Sequence, residues 1–335
     1  MSSTFRAYRV SKTDTDTATT RQVTHISEDT LATFEDNITI DVHYSSLNYK
    51  DALSATGNPG VTKTYPHTPG IDAAGIVQTS TSDKFQAGDE VIVMSYDLGM
   101  NTPGGFAEVI RVPASWVMPK PAGLSLFESM VLGTAGFTAA LALDALISQG
   151  LEAEAGEVVV TGASGGVGSI AVALLAAQGF EVVASTGKQA AHDLLNSLGA
   201  SRVVGRDAFS EASSRPLLKG TWAAAVDGVG GVALANIIKS LKYGGAVAAY
   251  GLVGGAELDL TVFPFILRGV SLVGVDSAEC PMAKRVEIWH KLASDWKLTN
   301  LDAITQTISL DELDEAVEAI LRGEILGRRV VDVRS

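Results

Sequence analysis

The chain has 335 residues and a formal net charge of −13 at pH 7, from 38 acidic and 25 basic side chains. This acidity disfavours binding to nucleic acid or to an anionic membrane surface. The single cysteine, Cys280, excludes an intramolecular disulfide and a cysteine-rich zinc site. A hydrophobic share of 46% is typical of a compact α/β enzyme, and the length favours two domains over one.

The sequence predicts neither a targeting segment nor a membrane span. Residues 1–6 lack the basic-then-apolar layout of a signal peptide. We find no run of about 18 apolar residues of the kind that crosses a bilayer. We therefore predict a cytoplasmic protein.

Short β-like runs separated by turns make up residues 5–124. Residues 38–44 alternate apolar and polar side chains, as a half-buried strand does. Further strands are predicted at residues 70–77, 90–94 and 106–110. This texture predicts a mostly β, partly barrel-like domain.

From residue 125 onwards, predicted strands alternate with predicted helices, the first of which covers residues 127–143. The six predicted strands are residues 158–160, 181–184, 202–204, 222–226, 245–250 and 271–275. Six strands with intervening helices predict a doubly wound parallel Rossmann sheet, and therefore an α/β protein.

The tail of the chain is predicted to return to the first domain. A charged helix is expected over residues 310–322 and a last strand over residues 329–333. We therefore predict a first domain of residues 1–124 with 296–335, and a dinucleotide-binding domain of residues 125–295.

A glycine-rich turn, Thr-Gly-Ala-Ser-Gly-Gly-Val-Gly over residues 161–168, lies between the strand at 158–160 and a helical run at 169–178. Glycines let the backbone turn sharply and approach a pyrophosphate, and the free N–H groups at a helix start attract its negative charge. The order strand, glycine turn, helix favours dinucleotide binding over an ordinary βα turn.

The residues after the second Rossmann strand indicate which nucleotide binds. An NAD-type fold commonly has a carboxylate there to accept from the ribose 2′-OH. This chain has Ser185, Thr186, Gly187 and Lys188 instead, and their hydroxyls and ammonium suit a 2′-phosphate. Arg206, just past the third strand, would add a planar clamp. The alternative is that the two cations are solvated surface charges, but NADP(H) is favoured.

Short-chain dehydrogenases share this glycine pattern, but near the N-terminus and followed by a catalytic Tyr-x-x-x-Lys. Here the pattern lies mid-chain, and neither Tyr243 nor Tyr250 has a lysine four residues on. The domain order instead resembles the medium-chain dehydrogenase/reductase superfamily, whose zinc-dependent members carry an early cysteine and a later Gly-His-Glu. Residues 46–51 and 69–75 contain neither cysteine nor histidine, so a catalytic zinc lacks its ligands.

Within the metal-free branch, several long motifs resemble the YhdH/YhfP quinone-oxidoreductase-like family. They are residues 45–53, 65–66, 69–72, 133–139, 160–168, 264–270 and 274–277. The resemblance implies a GroES-like catalytic domain, NADPH as cofactor, and reduction of acrylyl-CoA to propanoyl-CoA. Residues 96–103 depart from the tryptophan- and glycine-rich sequence that the family has there.

Reduction of an α,β-unsaturated thioester needs a hydride at Cβ, stabilisation of the enolate oxygen and a proton at Cα. By the resemblance, Asn48 and Tyr49 stand where relatives carry the zinc-ligand cysteine, and they should face the nicotinamide. We predict Tyr49 as a donor to cofactor or substrate, Asn48 as an orienting group, and Asp51 as a partner of one of them. A compatible alternative is that Asn48 caps a helix with Asp51 in its first turn.

The glycine turn, the turn after the second strand and the resemblance together predict the cofactor-binding residues. They are Tyr49, Thr134, Ser164, Gly165, Gly166, Val167, Ser185, Thr186, Gly187, Lys188, Arg206, Gly251, Leu252, Ile266, Ser277 and Arg328. Arg328 is predicted to reach the cofactor phosphates from the tail. With Arg329 it otherwise forms a basic pair on a solvated strand end.

Three functions remain open at this point. The leading one is NADPH-dependent reduction of an acyl-CoA substrate, acrylyl-CoA. The second is reduction of quinones or other activated alkenes, which a zinc-free site allows. The third is a non-catalytic nucleotide-binding protein like the lens crystallins of this superfamily, which an intact segment 48–51 disfavours. A homodimer is expected, paired at the strand of residues 271–275.

Overall fold

A computed structural model describes residues 3–13 and 18–335 of the chain. Its internal contacts divide the chain into two compact units. Unit 1 comprises Met1–Thr134, Ala278–Ser294 and Thr305–Ser335, and unit 2 comprises Ala135–Ser277 and Asp295–Ile304. The domain bounds predicted from the sequence differ from the bounds of these two units, and they stay a prediction.

Strands and helices are numbered in chain order. The strands are β1 Thr4–Ser11, β2 Thr20–Ser27, β3 Asn37–Ser46, β4 Asp72–Ser80, β5 Glu90–Met94, β6 Val109–Pro113, β7 Val117–Pro119, β8 Val158–Val160, β9 Val182–Ser185, β10 Arg202–Val204, β11 Trp222–Asp227, β12 Leu241–Ala249, β13 Ser271–Gly274, β14 Thr305–Ser309 and β15 Arg328–Asp332. The α-helices are α1 Tyr49–Ala55, α2 Leu126–Ser148, α3 Gly166–Ala177, α4 His192–Ser197, α5 Gly231–Lys239, α6 Phe263–Arg268, α7 Met282–Ala293 and α8 Leu313–Leu321.

Unit 1 is built on a seven-stranded sheet of order β14-β15-β3-β4-β5-β7, in which β6 also pairs with β3. Ile38, Ile40 and Val42 of β3 are fully buried in its core, because alternate residues of a strand face the same side. The tail strand β15 pairs antiparallel with β3.

One predicted strand of unit 1 begins three residues late. The sequence favoured residues 106–110, whereas β6 covers Val109–Pro113. The backbone N–H of Phe106 instead donates to Pro69 O at 3.0 Å, and that of Gly105 donates to Gly70 O at 2.8 Å. These bonds tie residues 105 and 106 to a turn, so they are not free for the sheet ladder.

Unit 2 holds six parallel strands in the order β10-β9-β8-β11-β12-β13. This is the doubly wound Rossmann order, with the reversal between β8 and β11 where such folds bind their ligand. Val158, Val159 and Val160 of β8 are completely buried, as expected for a central parallel strand covered on both faces.

Helix α2 contains a kink at Gly133, whose φ of 48° and ψ of −153° are not helical. An added Cβ there would lie 2.6 Å from Asp72 Oδ2 and 2.7 Å from Ser46 Oγ, so only glycine fits. Helix α2 is long and apolar enough to cross a membrane, although the sequence analysis predicted no such segment. However, 72% of its most apolar 18-residue stretch is buried inside the protein, as is typical of a core helix.

Candidate active site

The glycine turn of unit 2 has the geometry that a pyrophosphate cradle requires. Gly162 has a φ of +59°, and a Cβ added at Gly168 would lie 2.3 Å from Gly162 O. Gly165 is the N-cap of α3, so Gly166 and Val167 form its first turn. The backbone N–H groups at that helix start are suited to bind an anion.

The residues predicted to bind the 2′-phosphate lie at or just after the ends of β9 and β10, and Thr186 among them contacts Ser164 of the glycine turn after β8. Thr186 Oγ1 donates to Ser164 Oγ at 3.0 Å, and the Lys188 backbone N–H donates to Thr186 Oγ1 at 3.1 Å. An added Cβ at Gly187 would lie 3.0 Å from Arg206 Cδ, so the arginine side chain lies against this turn.

The same turn carries no carboxylate. Ser185 ends β9, and its carbonyl accepts from the Ala163 N–H at 3.1 Å, which joins this turn to the glycine turn. Two hydroxyls and two cations in this position fit a ribose 2′-phosphate, which a carboxylate would repel.

The loops after β11 and β12 lie against each other. An added Cβ at Gly251 would lie 2.4 Å from Gly228 O, and the Gly254 N–H donates to Val229 O at 2.7 Å. Leu252 next to this contact is 64% exposed, which leaves its side chain available to a ligand. Of the other predicted residues, Ile266 lies exposed on α6 and Ser277 follows β13, so neither belongs to the group at β8, β9 and β10.

Asp227, at the end of β11, is a buried group that the sequence analysis did not single out. Its carboxylate accepts from Thr161 Oγ1 at 2.6 Å and from the Gly230 N–H at 2.8 Å. Burial raises the pKa of this carboxyl. Asp227 thereby links β8 to β11 at the reversal of strand order, and its position before the run Gly228 to Gly231 was the available sequence signal.

In unit 1, Asn48 precedes helix α1 and Tyr49 is its first residue. The Asn48 backbone N–H donates to Asp51 Oδ2 at 2.8 Å, which is the carboxylate half of a capping box. The expected place of Asn48 before a helix with Asp51 in its first turn is therefore observed. Tyr49 is 46% exposed, whereas Asn48 and Asp51 are buried. Of these three residues, Tyr49 is thus the one that reaches solvent.

Asp51 is a buried carboxyl group with an unusual proton affinity. It accepts from the backbone N–H groups of Gly70 at 3.1 Å and Ile71 at 2.8 Å, besides that of Asn48. Burial, and secondarily the nearby charge of Asp72, raise the pKa of Asp51 to about 7, although the backbone donors act in the opposite direction. The group therefore titrates near neutral pH.

Asp72 was part of a family motif but was not predicted as a site residue. It is completely buried and accepts from Ser46 Oγ at 2.6 Å, Asn48 Nδ2 at 2.8 Å and Thr134 Oγ1 at 2.6 Å. The Thr134 backbone N–H also donates to it. Asp72 thus joins Asn48, which was predicted as an orienting group, to Thr134, which was predicted to bind the cofactor.

Arg328, predicted to reach the cofactor phosphates from the tail, is buried in unit 1. Its guanidinium is buried and donates to Val131 O at 2.8 Å, Ser46 Oγ at 2.8 Å and Asn48 Oδ1 at 3.2 Å. Burial lowers its pKa, and the charges of Asp72 and Asp51 oppose that shift. The strand alternation of β15 turns Arg328 inward. The guanidinium is thus held inside unit 1, and the predicted contact of Arg328 with the cofactor phosphates stays a prediction.

Two known family models each match a different part of this chain. Residues 35–122 match the model of the alcohol dehydrogenase GroES-like domain, and residues 166–293 match that of the zinc-binding dehydrogenase family. YhfP of Bacillus subtilis is 46% identical over 332 residues, which cover 99% of each chain. This chain belongs to the zinc-free YhdH/YhfP family of medium-chain dehydrogenases/reductases.

Other members of this family are similarly close. The acrylyl-CoA reductase AcuI of Ruegeria pomeroyi is 45% identical over 298 residues, 89% of this chain and 90% of that protein. The crystal structure of yhdH from Salmonella enterica in complex with NADP has a TM-score of 0.94 at 45% identity, covering 98% of this chain and 99% of that one. The structure of Bacillus subtilis yhfP, with NAD bound, has a TM-score of 0.95 at 45% identity, covering 99% of this chain and 100% of that one.

The GroES-like and Rossmann fold class predicted from the sequence is confirmed by these matches. Within residues 3–13 and 18–335, no group of three or more His, Cys, Asp or Glu side chains is placed to hold a metal ion.

Proposed function

We propose that this protein catalyses the NADPH-dependent reduction of the C=C bond of an α,β-unsaturated acyl-CoA, namely acrylyl-CoA to propanoyl-CoA. The observation that carries this proposal is the likeness to AcuI, which extends over 89% of the chain at 45% identity. The Asn48–Asp51 segment lies within the matched residues 35–122, and the end of the glycine turn, Gly166 to Gly168, lies within the matched residues 166–293.

Unit 2 has the groups that NADPH requires. The helix start at Gly166 would hold the pyrophosphate, and Ser164, Thr186, Lys188 and Arg206 would hold the 2′-phosphate. When bound, NADPH supplies the hydride for Cβ of the substrate. The protein's own task is then to orient the two reactants and to stabilise the charge that develops on the thioester oxygen.

In unit 1, the exposed Tyr49 hydroxyl would donate to cofactor or substrate. Charge develops on the thioester oxygen as Cβ is reduced, so a donor that is already aimed stabilises the transition state. Asn48 holds the start of α1 through Asp72 and Arg328, and Asp51 holds it through the Asn48 backbone. Tyr49 is therefore a proposed catalytic residue, and Asn48 and Asp51 are proposed positioning residues.

Homodimer formation and a cytoplasmic location belong to the same proposal. Strand β13 is an edge of the six-stranded sheet, where an exposed strand can pair with a second copy. Val262, Phe263, Leu267 and Leu272, on or beside α6 and β13, are exposed. Exposed apolar residues near an open sheet edge support a self-association surface.

Isotope transfer tests the reaction itself. NADPH carrying deuterium at nicotinamide C4 on the transferred face, incubated with acrylyl-CoA, should yield propanoyl-CoA labelled at Cβ and not at Cα. The same reaction in D₂O with unlabelled NADPH should place the label at Cα. Absence of labelled propanoyl-CoA from both reactions would reject the proposal.

A further inference from the structure

Two consecutive non-glycine residues of unit 1, Ser95 and Tyr96, have left-handed backbone angles, with φ of 63° and 50°. Side chains disfavour this region, and such strain persists only where surrounding contacts over-determine it, often near functional sites. The turn lies directly after β5. Its contacts show what holds it and what it positions.

Tyr96 is held by aromatic and polar contacts. Its ring stacks on Trp116, with centroids 5.8 Å apart and an interplanar angle of 16°. Its hydroxyl donates to Cys280 O at 3.3 Å, and its backbone N–H donates to Ala278 O at 3.2 Å. The ring and backbone of Tyr96 are therefore both anchored.

Arg285 of α7 also holds Tyr96 in place. The side chain is 1% exposed, and its guanidinium carbon lies 4.4 Å from the centroid of the Tyr96 ring, within the range of a cation–π contact. It donates to Met94 O at 3.1 Å and to Ala278 O at 3.1 Å. Arg285 thus ties the residue before the strained turn to the segment on which Tyr96 is anchored.

The turn aims the buried Ser95 hydroxyl at Thr134. The two hydroxyl oxygens are 3.1 Å apart, and Thr134 Oγ1 is 2.6 Å from Asp72 Oδ1. Because the single hydroxyl hydrogen of Thr134 is donated to the carboxylate, Ser95 is the donor to Thr134. The result is a directed chain from Ser95 through Thr134 to Asp72.

We propose that Ser95 is a positioning residue for NADPH, acting through Thr134, and that Arg285 and the left-handed turn hold it in place. The chain fixes the rotamer of the half-buried Thr134 and commits its hydrogen to Asp72. Towards the cofactor, the Thr134 oxygen then acts as an acceptor for an N–H or O–H of the nicotinamide half. This inference rests on the proposed NADPH-dependent function and adds to it the residues that fix the orientation of the Thr134 hydroxyl.

Two substitutions separate the hydroxyl from the backbone strain. Ser95→Ala removes the hydroxyl and keeps the strain, whereas Ser95→Gly removes both. Both variants should raise the Kd for NADPH about five- to tenfold, the effect of one lost hydrogen bond. Ser95→Gly should melt at or above the temperature of Ser95→Ala. Unchanged Kd in both variants, or a change in Ser95→Gly alone, would overturn the proposal.

A double-mutant cycle tests whether Ser95 acts through Thr134. In a Thr134→Val background, Ser95→Ala should change the Kd for NADPH by less than about twofold. A persisting five- to tenfold effect would contradict the route through Thr134. Kd is measured from NADPH fluorescence without any acyl-CoA, so this result stands apart from whether acrylyl-CoA is the substrate.

Discussion

The side-chain amide of Asn48 donates to Asp72 Oδ2 at 2.8 Å, while the backbone N–H of Asn48 donates to Asp51 Oδ2 at the same distance. One residue thus joins two buried carboxylates immediately before the exposed Tyr49. The position of Tyr49 therefore depends on a buried polar cluster in which each carboxylate accepts several hydrogen bonds.

Asn48→Leu should both destabilise the protein and reduce its activity. The substitution keeps the side chain's size but removes the donor to Asp72 and the acceptor for Arg328. We expect the free energy of unfolding to fall by roughly 2–4 kcal/mol, the cost of two unmet buried groups. The matched control is Asn101→Leu, because the Asn101 amide also donates to a carboxylate, that of Asp97, but at an exposed position. This control variant should lose less than about 1 kcal/mol of unfolding free energy. Equal losses in denaturant titrations would contradict the role of the cluster.

Asp51→Asn should change how stability depends on pH. The folded protein keeps a proton on Asp51 up to about pH 7, whereas the ordinary value is 3.8. Between these values the unfolded chain releases a proton that the folded chain retains, so rising pH lowers the contribution of Asp51 to stability. The slope is at most about 1.4 kcal/mol per pH unit. The unfolding free energy of Asp51→Asn relative to wild type should therefore rise from pH 4 to pH 7, and parallel curves would refute the shift.

Gly133→Ala should be far more harmful than an alanine at another left-handed glycine. Gly133 has a φ of +48° and an added Cβ would meet Asp72 and Ser46 within 2.7 Å. Gly150 has a φ of +87° with no atom within 4 Å of an added Cβ, so Gly150→Ala measures backbone strain alone. We expect about 1 kcal/mol for Gly150→Ala and at least about 3 kcal/mol for Gly133→Ala. Similar melting temperatures for the two variants would exclude the predicted clash.

Lys188→Ala should weaken NADPH more than NADH. If the ammonium binds the 2′-phosphate, its removal should lower the NADPH-over-NADH preference about tenfold, and Arg206→Ala should act in the same direction. Lys242→Ala is the control, because Lys242 near the start of β12 donates to Ala155 O. Equal weakening of both cofactors in fluorescence titrations would remove the assigned role from Lys188.

Leu272→Lys tests the proposed homodimer. A lysine on the edge strand β13 adds charge to an apolar surface and should convert a dimer to a monomer in sedimentation analysis. Tyr243→Lys, at an 85% exposed position of β12, should leave the assembly unchanged. Identical sedimentation of wild type and Leu272→Lys as dimers would place the interface elsewhere.

The sequence was sufficient to predict the Rossmann unit because its signals are local. The glycine turn, the β9 turn and Arg206 each follow a strand, and parallel strands bring their carboxyl ends to one edge. The zinc-free family was likewise readable from contiguous motifs.

The unit 1 cluster was only partly predictable, because its members meet through tertiary contacts. Asp72, Thr134 and Arg328 are 62 or more residues apart in sequence, and no periodicity relates them. Whether Arg328 faces a ligand or the interior depends on the register of β15 against β3. The kink at Gly133 was not predicted from the sequence, because the nearby Asp72, which leaves no room for a Cβ there, is visible only in the structure.

Steady-state kinetics with acrylyl-CoA and with simple quinones, each with NADPH and NADH, distinguishes an acyl-CoA reductase from a quinone reductase. We expect NADPH consumption with acrylyl-CoA to have the highest kcat/KM of the four combinations, with propanoyl-CoA as product. Turnover of quinones alone, with none of acrylyl-CoA, would show that this protein is not an acyl-CoA reductase.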